Sequence, residues 1–186
     1  MDIKKFFLWG MIFSLIASGL MAIFIFLFVD FNTRELKILF STLDIGACSL
    51  AGLCCSTVLG SRYKWFGILG IIIAALCMGD MLYTIWRFNS EDNFNVLLTL
   101  VILAATCSHI SLMLLTKTDT SLTGYVLLVT VFFIALVGFM LLRLIWQNDQ
   151  NEFFYRLLGV FGILDVLGTI ITPILGKNQR YEDVME

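Results

Sequence analysis

The chain has 186 residues, of which 60% are hydrophobic and only 14% charged, with a formal net charge of −2 and a mean hydropathy of +0.95. Soluble domains carry about 45–50% apolar and roughly 25% charged residues, so both departures point to a membrane-embedded chain. The apolar residues are gathered into blocks long enough to cross a hydrocarbon core, which needs about 20 residues as a helix. No stretch is left over for a globular catalytic or nucleotide-binding head, and an enzyme, a cofactor or a nucleic-acid partner is not expected.

In chain order the blocks run Phe6–Val29, Ile38–Gly60, Trp65–Trp86, Phe94–Thr116, Leu122–Trp146 and Phe154–Leu175. They predict an all-α integral membrane protein with six transmembrane helices. The first block follows Lys4 and Lys5 but exceeds the 7–15 apolar residues of a signal peptide, and no small-x-small cleavage site follows Val29. It is expected to be retained. Trp9, Trp65, Trp86 and Trp146 lie at block ends, as in an interfacial belt.

Charge distribution suggests sidedness. Lys4, Lys5, Arg62, Lys64, Lys117, Lys177 and Arg180 fall at the amino terminus, the second and fourth connections and the tail. Asp30, Glu35, Glu91, Asp92, Asp149 and Glu152 collect in the other connections. Positive residues mark the cytoplasmic side, so both termini are expected inside, in a plasma or inner membrane. Arg34, Lys37, Arg87, Arg143 and Arg156 near the outer ends weaken the bias.

The blocks also repeat. Val29-Asp30-Phe31-Asn32, Trp86-Arg87-Phe88-Asn89 and Trp146-Gln147-Asn148 end the odd blocks alike. Ala47-Cys48-Ser49, Thr106-Cys107-Ser108 and Leu167-Gly168-Thr169 align in the even ones. Offsets of roughly 57–61 residues are the mark of tandem units. Within one domain spanning 1–186, three hairpins are therefore expected, over about 1–62, 63–118 and 119–186. Parallel repeats of this kind are related by an axis along the membrane normal, which predicts a pseudo-threefold bundle.

Small side chains recur at helical spacing. Gly10, Ser14, Ser18 and Ala22 mark the first block; Cys48, Gly52, Ser56 and Gly60 the second; Cys107 and Ser111 the fourth; Gly168, Thr172 and Gly176 the sixth. Faces of this kind let helices in lipid approach closely, within one chain or between subunits. Pro173 predicts a bend near the end of the last helix. The cysteines (Cys48, Cys54, Cys55, Cys77, Cys107) all fall within blocks, without a Cys-x-x-Cys pair. They read as small packing residues.

Ionisable groups at membrane depth cost at least about 2.5–3.5 kcal/mol at the helix centre on insertion scales, which makes them functional candidates. Asp44, Asp80 and Asp165 fall toward the outer half and His109 toward the inner half. Asp44 lies one turn before Cys48 and Asp165 three residues before Gly168, so both point near small-residue faces. Two converging carboxylates can bind a cation or share a proton. The competing reading pairs each acid with Arg87, Arg143 or Arg156, fixing helix register only. For His109, a hydrogen-bonded packing role competes with a proton relay. One histidine with scattered cysteines does not predict a metal site. Gly79-Asp80 is half of a Gly-x-Gly-Asp protease motif, and neither that motif nor a Gly-x-Ser-x-Gly is present.

The plan of paired-helix repeats is similar to that of mitochondrial carriers, from which the chain departs by lacking long matrix segments and a charged proline motif. Small bacterial membrane proteins of the HdeD acid-resistance type are closer in length and helix count, a resemblance of architecture alone. Two functions follow as expectations. One is a non-enzymatic accessory or scaffold subunit, packing against lipid and against other membrane proteins or copies of itself. The alternative is a small proton- or cation-coupled transporter or channel.

Overall fold

In the computed structural model the described residues are 8, 9, 12, 13, 16, 19, 20 and 23, followed by 33–87, 94–116, 121–147 and 152–182. They form helices α1 (Thr33–Ser56), α2 (Lys64–Arg87), α3 (Phe94–Met113), α4 (Ser121–Gln147) and α5 (Glu152–Glu182), with a 3-10 turn at Thr57–Gly60 after α1. All five α-helices carry a stretch long and apolar enough to cross a membrane. The expected count of six is therefore corrected to five among the described residues. Over 6–29 only separate positions, such as Leu8, Trp9, Ile12 and Phe13, are described, as helical backbone, and the expected first helix otherwise lies outside the described residues. Gly10, Ser14, Ser18 and Ala22 lie outside the described residues.

A helix is what lipid demands of each block, since backbone groups without water must be satisfied within the segment. Hydroxyls follow the same rule. Ser41 Oγ donates to the Lys37 carbonyl at 2.8 Å, Thr42 Oγ1 to Leu39 at 2.8 Å and Ser56 Oγ to Leu53 at 2.7 Å. Thr84 Oγ1 donates to the Asp80 carbonyl at 2.9 Å and Thr99 Oγ1 to Asn95 at 2.7 Å.

The chain divides into two compact units, residues 1–105 and 106–186, with the boundary inside α3. In the first, α1 and α2 pack closely as an antiparallel pair. Their link is short: the 3-10 turn closes with Ser61 N–H donating to the Val58 carbonyl at 3.0 Å, and Tyr63 N–H donates to Ser61 Oγ at 3.2 Å. Close approach is possible because Gly67 has no side chain; a Cβ there would lie 2.7 Å from the Cys55 carbonyl oxygen. Cys48, Cys77 and Ala104 form the buried apolar centre of this unit, flanked by Ile73, Met78 and Leu100.

In the second unit α4 and α5 are the close pair. Their contact is again set by a glycine: a Cβ on Gly168 would sit 2.6 Å from Thr130 Oγ1. Phe133 and Phe161 stack across it with ring centroids 5.9 Å apart. Gly138 meets Thr106 in the same way, at 2.7 Å from a built Cβ to Oγ1. α5 runs unbroken through Pro173.

The α4–α5 pair falls within the expected third hairpin, but the α1–α2 pair corrects the expected three-hairpin, pseudo-threefold arrangement, which is not established among the described residues. α1 pairs with α2 across the expected boundary near residue 62, and no comparably close backbone pairing joins α2 to α3. The reason is local. A short 3-10 link and the bare surface at Gly67 bring α1 against α2, whereas repeat spacing in the sequence carries no information on which faces meet.

Candidate functional site

The α1 face built from Asp44, Cys48, Gly52 and Ser56 has four-residue spacing, so its side chains line one side of the helix. All four are buried. The facing surface of α2 is Gly67, Gly70, Ala74 and Cys77, also buried. Two small-residue faces thus meet, and they carry Asp44 into the interface with them. Asp44 is only 3% exposed.

Within this interface Cys48 Sγ donates to Asp44 Oδ1 at 3.4 Å. Cys48 and Cys77, on the facing helix, pack in the same buried cluster. The second carboxylate oxygens, Asp44 Oδ2 and Asp80 Oδ2, are buried without a hydrogen-bond partner. All five cysteines are free thiols.

Among the described residues no arginine is paired with these acids. Arg87 lies over the Tyr83 ring at 5.1 Å and Lys37 over Trp86 at 5.9 Å, and Trp86 Nε1 donates to Ser41 Oγ at 3.2 Å. Arg156 pairs with Glu152 at 3.3 Å, on an exposed helix surface. Arg143 donates to Gln147 at 2.5 Å and lies 5.7 Å from the Phe154 ring centre. Among the described residues, then, Asp44, Asp80 and Asp165 are joined to none of the arginines expected for them.

The second unit holds a separate polar group. His109 Nε2 and Thr169 Oγ1 are 3.0 Å apart. Thr130 and Thr172 hydroxyls approach to 3.2 Å, while each donates to its own helix, Thr130 to Val126 at 2.9 Å and Thr172 to Gly168 at 2.7 Å. Ser111 is fully buried, and its Oγ has no partner; nor has Asp165 Oδ1. Cys107 is buried beside these residues in sequence, and the side chain at position 176 is outside the described set.

Among the described residues no three or more His, Cys, Asp or Glu side chains gather as a metal-binding group. The sequence reading did not single out the Cys48–Cys77 contact or Thr130. The Gly67, Gly70, Ala74, Cys77 ladder was a signal for the first, at the three- and four-residue spacing of a buried face. Thr130 had none beyond being a hydroxyl in an apolar run.

Comparison with protein-family models, with curated proteins and with solved structures gives no match. Helices and sites together define a small, all-helical, multi-pass membrane protein.

Proposed function

We propose that this chain is a non-enzymatic membrane protein that takes up and releases protons or monovalent cations within the bilayer, with Asp44 as the exchanging group. One observation carries the proposal: Asp44 is buried at 3% exposure, has no cationic partner among the described residues, and keeps one oxygen without a hydrogen bond. A carboxylate at membrane depth needs a proton, a cation or a basic partner to offset desolvation. With Arg87, Arg143 and Arg156 engaged elsewhere, a proton or a small cation is the simplest neutralising species. Asp80, whose Oδ2 is equally unpartnered, supplies a second acid on the facing helix. His109, held against Thr169, fits a packing role better than a relay.

Sidedness belongs to the same proposal. Arg62, Lys64, Lys117, Lys177 and Arg180 put the α1–α2 link, the α3–α4 link and the end of α5 on the cytoplasmic face of a plasma or inner membrane. Asp44 and Asp80 then lie in the outer half of the bilayer.

The test is reconstitution of the full chain in vesicles with a trapped pH-sensitive dye and an imposed sodium or potassium gradient. Wild type is expected to move protons or cations, and Asp44→Asn to lose most of that flux. Flux that persists unchanged in Asp44→Asn would overturn the proposal.

A second reading, an accessory or scaffold subunit, is favoured by α5. Only 6% of its apolar window is buried, yet it carries Asp165 with an unpartnered oxygen. A helix of that kind suits a neighbouring subunit bearing a basic or hydroxyl group.

A further inference from the structure

We propose that the end of the α1–α2 pair where Lys37 and Arg87 lie binds the phosphate of an anionic phospholipid headgroup. The site is independent of Asp44 and of any exchange there. Lys37 Nζ stands 5.9 Å from the centre of the Trp86 ring, and Trp86 Nε1 donates to Ser41 Oγ at 3.2 Å. One indole thus ties the start of α1 to the last turn of α2. On α2 the Arg87 guanidinium lies 5.1 Å over the ring of Tyr83, one turn back along the same helix. Arg34, which is exposed, comes one turn before Lys37 on the same side of α1. Three cations and two aromatic rings therefore gather at one end of one helix pair. Trp86 is 58% and Tyr83 43% exposed, so the group lies on the surface, at span ends where amphipathic rings sit at headgroup level.

Stacking decides what the arginine can still do. A contact with a ring uses the face of the guanidinium, whereas its five N–H donors lie in the plane and point outward from the edge. No ion pair of Arg87 stands among the described residues. Its edge matches an acceptor with several oxygens and a negative charge, which a phosphate takes in paired hydrogen bonds. Exposed Phe40 and Leu43 continue the α1 surface away from this end, apolar ground for the acyl chains of a lipid and of no use to free phosphate. The other basic–aromatic contacts lack this combination. Lys64 lies over Trp65, its own neighbour in the chain, and Arg143, beside Phe154, already donates to Gln147. The competitors for the cations are acids nearby in the chain, Glu35 on α1 and Glu91 and Asp92 after α2.

The probes are phosphatidylglycerol and phosphatidylcholine, which differ in headgroup charge. Delipidated full-length protein in mild detergent is mixed with equal amounts of the two, passed through gel filtration and analysed for lipid per chain. Wild type is expected to retain phosphatidylglycerol in preference, and less of it as salt is raised. Arg87→Gln and Lys37→Gln should each retain at least about fivefold less, the effect of one basic residue near an anionic headgroup. Arg156→Gln, which removes the same charge elsewhere, should match wild type. Tyr83→Phe, which keeps the ring, should match it too, whereas Tyr83→Leu should fall toward Arg87→Gln. Melting in phosphatidylcholine micelles shows that each variant is folded. Should Arg87→Gln fail to fold, Arg87→Lys replaces it, keeping the charge without the planar fork of donors, and should give a smaller loss in the same direction. Equal retention of both lipids by wild type would overturn the site, as would equal retention by Arg87→Gln and Arg156→Gln, the result expected if the acids neutralise the cations. Displacement of the lipid by an equal concentration of inorganic phosphate would also overturn it, by making free phosphate the ligand.

Discussion

Gly168 lies so close to Thr130 that a β-carbon on it would stand 2.6 Å from the threonine hydroxyl and 3.0 Å from its methyl group. The α4–α5 pair is therefore held at a distance that only glycine permits. Gly168→Ala should force the helices apart and lower stability by about 1–3 kcal/mol, the usual cost of overpacking. Gly159 and Gly162 on the same helix meet nothing within 4 Å. Their alanine variants should be neutral or slightly stabilising, because alanine is the better helix former. Thermal unfolding in detergent, compared across the three variants, checks the contrast.

Gly67 faces a harder obstacle. Its added β-carbon would lie 2.7 Å from the Cys55 carbonyl oxygen, and a backbone atom cannot rotate away as a threonine side chain can. Gly67→Ala should therefore be at least as destabilising as Gly168→Ala. Introducing Thr130→Ala beside Gly168→Ala should recover part of the loss, whereas no side-chain substitution at Cys55 should rescue Gly67→Ala. Paired melting curves for the double variants decide this.

Asp44 is buried without an ion pair among the described residues, and that makes a specific demand on its amide variant. Breaking a buried pair by removing one partner costs about 3–5 kcal/mol; where no pair exists there is none to break. Asp44→Asn should leave stability within about 1 kcal/mol of wild type, with the Cys48 thiol still donating to the amide oxygen. A loss several times larger, measured by the same melting assay, would reveal a cationic partner for Asp44.

The Arg156–Glu152 pair, at 3.3 Å with both side chains largely in solvent, should matter little. Glu152→Gln is expected to cost no more than about 0.5 kcal/mol, as for other exposed i,i+4 pairs on helices. Raising the salt concentration should erase the difference, which a melting comparison at two ionic strengths would register.

Hydropathy located two of the five observed helices to within one residue at each end. Trp65–Trp86 became Lys64–Arg87, and Leu122–Trp146 became Ser121–Gln147. It misplaced the ends where helix and membrane part company. α5 continues past Leu175 to Glu182, because hydropathy measures burial in lipid and the backbone can stay helical beyond it. Thr57–Gly60 tightens into a 3-10 turn, which a run of apolar residues does not signal. The Asp44–Cys48 face was legible from its four-residue spacing. Its partner was not, since spacing defines a face without naming the helix that covers it. For the same reason the repeat in sequence suggested hairpins that differ from the close pair formed at Gly67, while the pair formed at Gly168 lies within the expected third hairpin. The competing reading, in which arginines pair with the acids, finds no such pair among the described residues, where Arg87 lies over Tyr83 and Arg156 pairs with Glu152.

The central claim is that Asp44 exchanges protons or cations from within the bilayer. The most direct measurement is its modification by a hydrophobic carbodiimide, which reacts with protonated carboxyl groups in membranes, read by peptide mass spectrometry in native vesicles. Asp44 should be modified, and added monovalent cation should protect it in proportion to its concentration. An Asp44 that stays unmodified in the folded protein, or whose modification ignores every cation offered, would contradict the account.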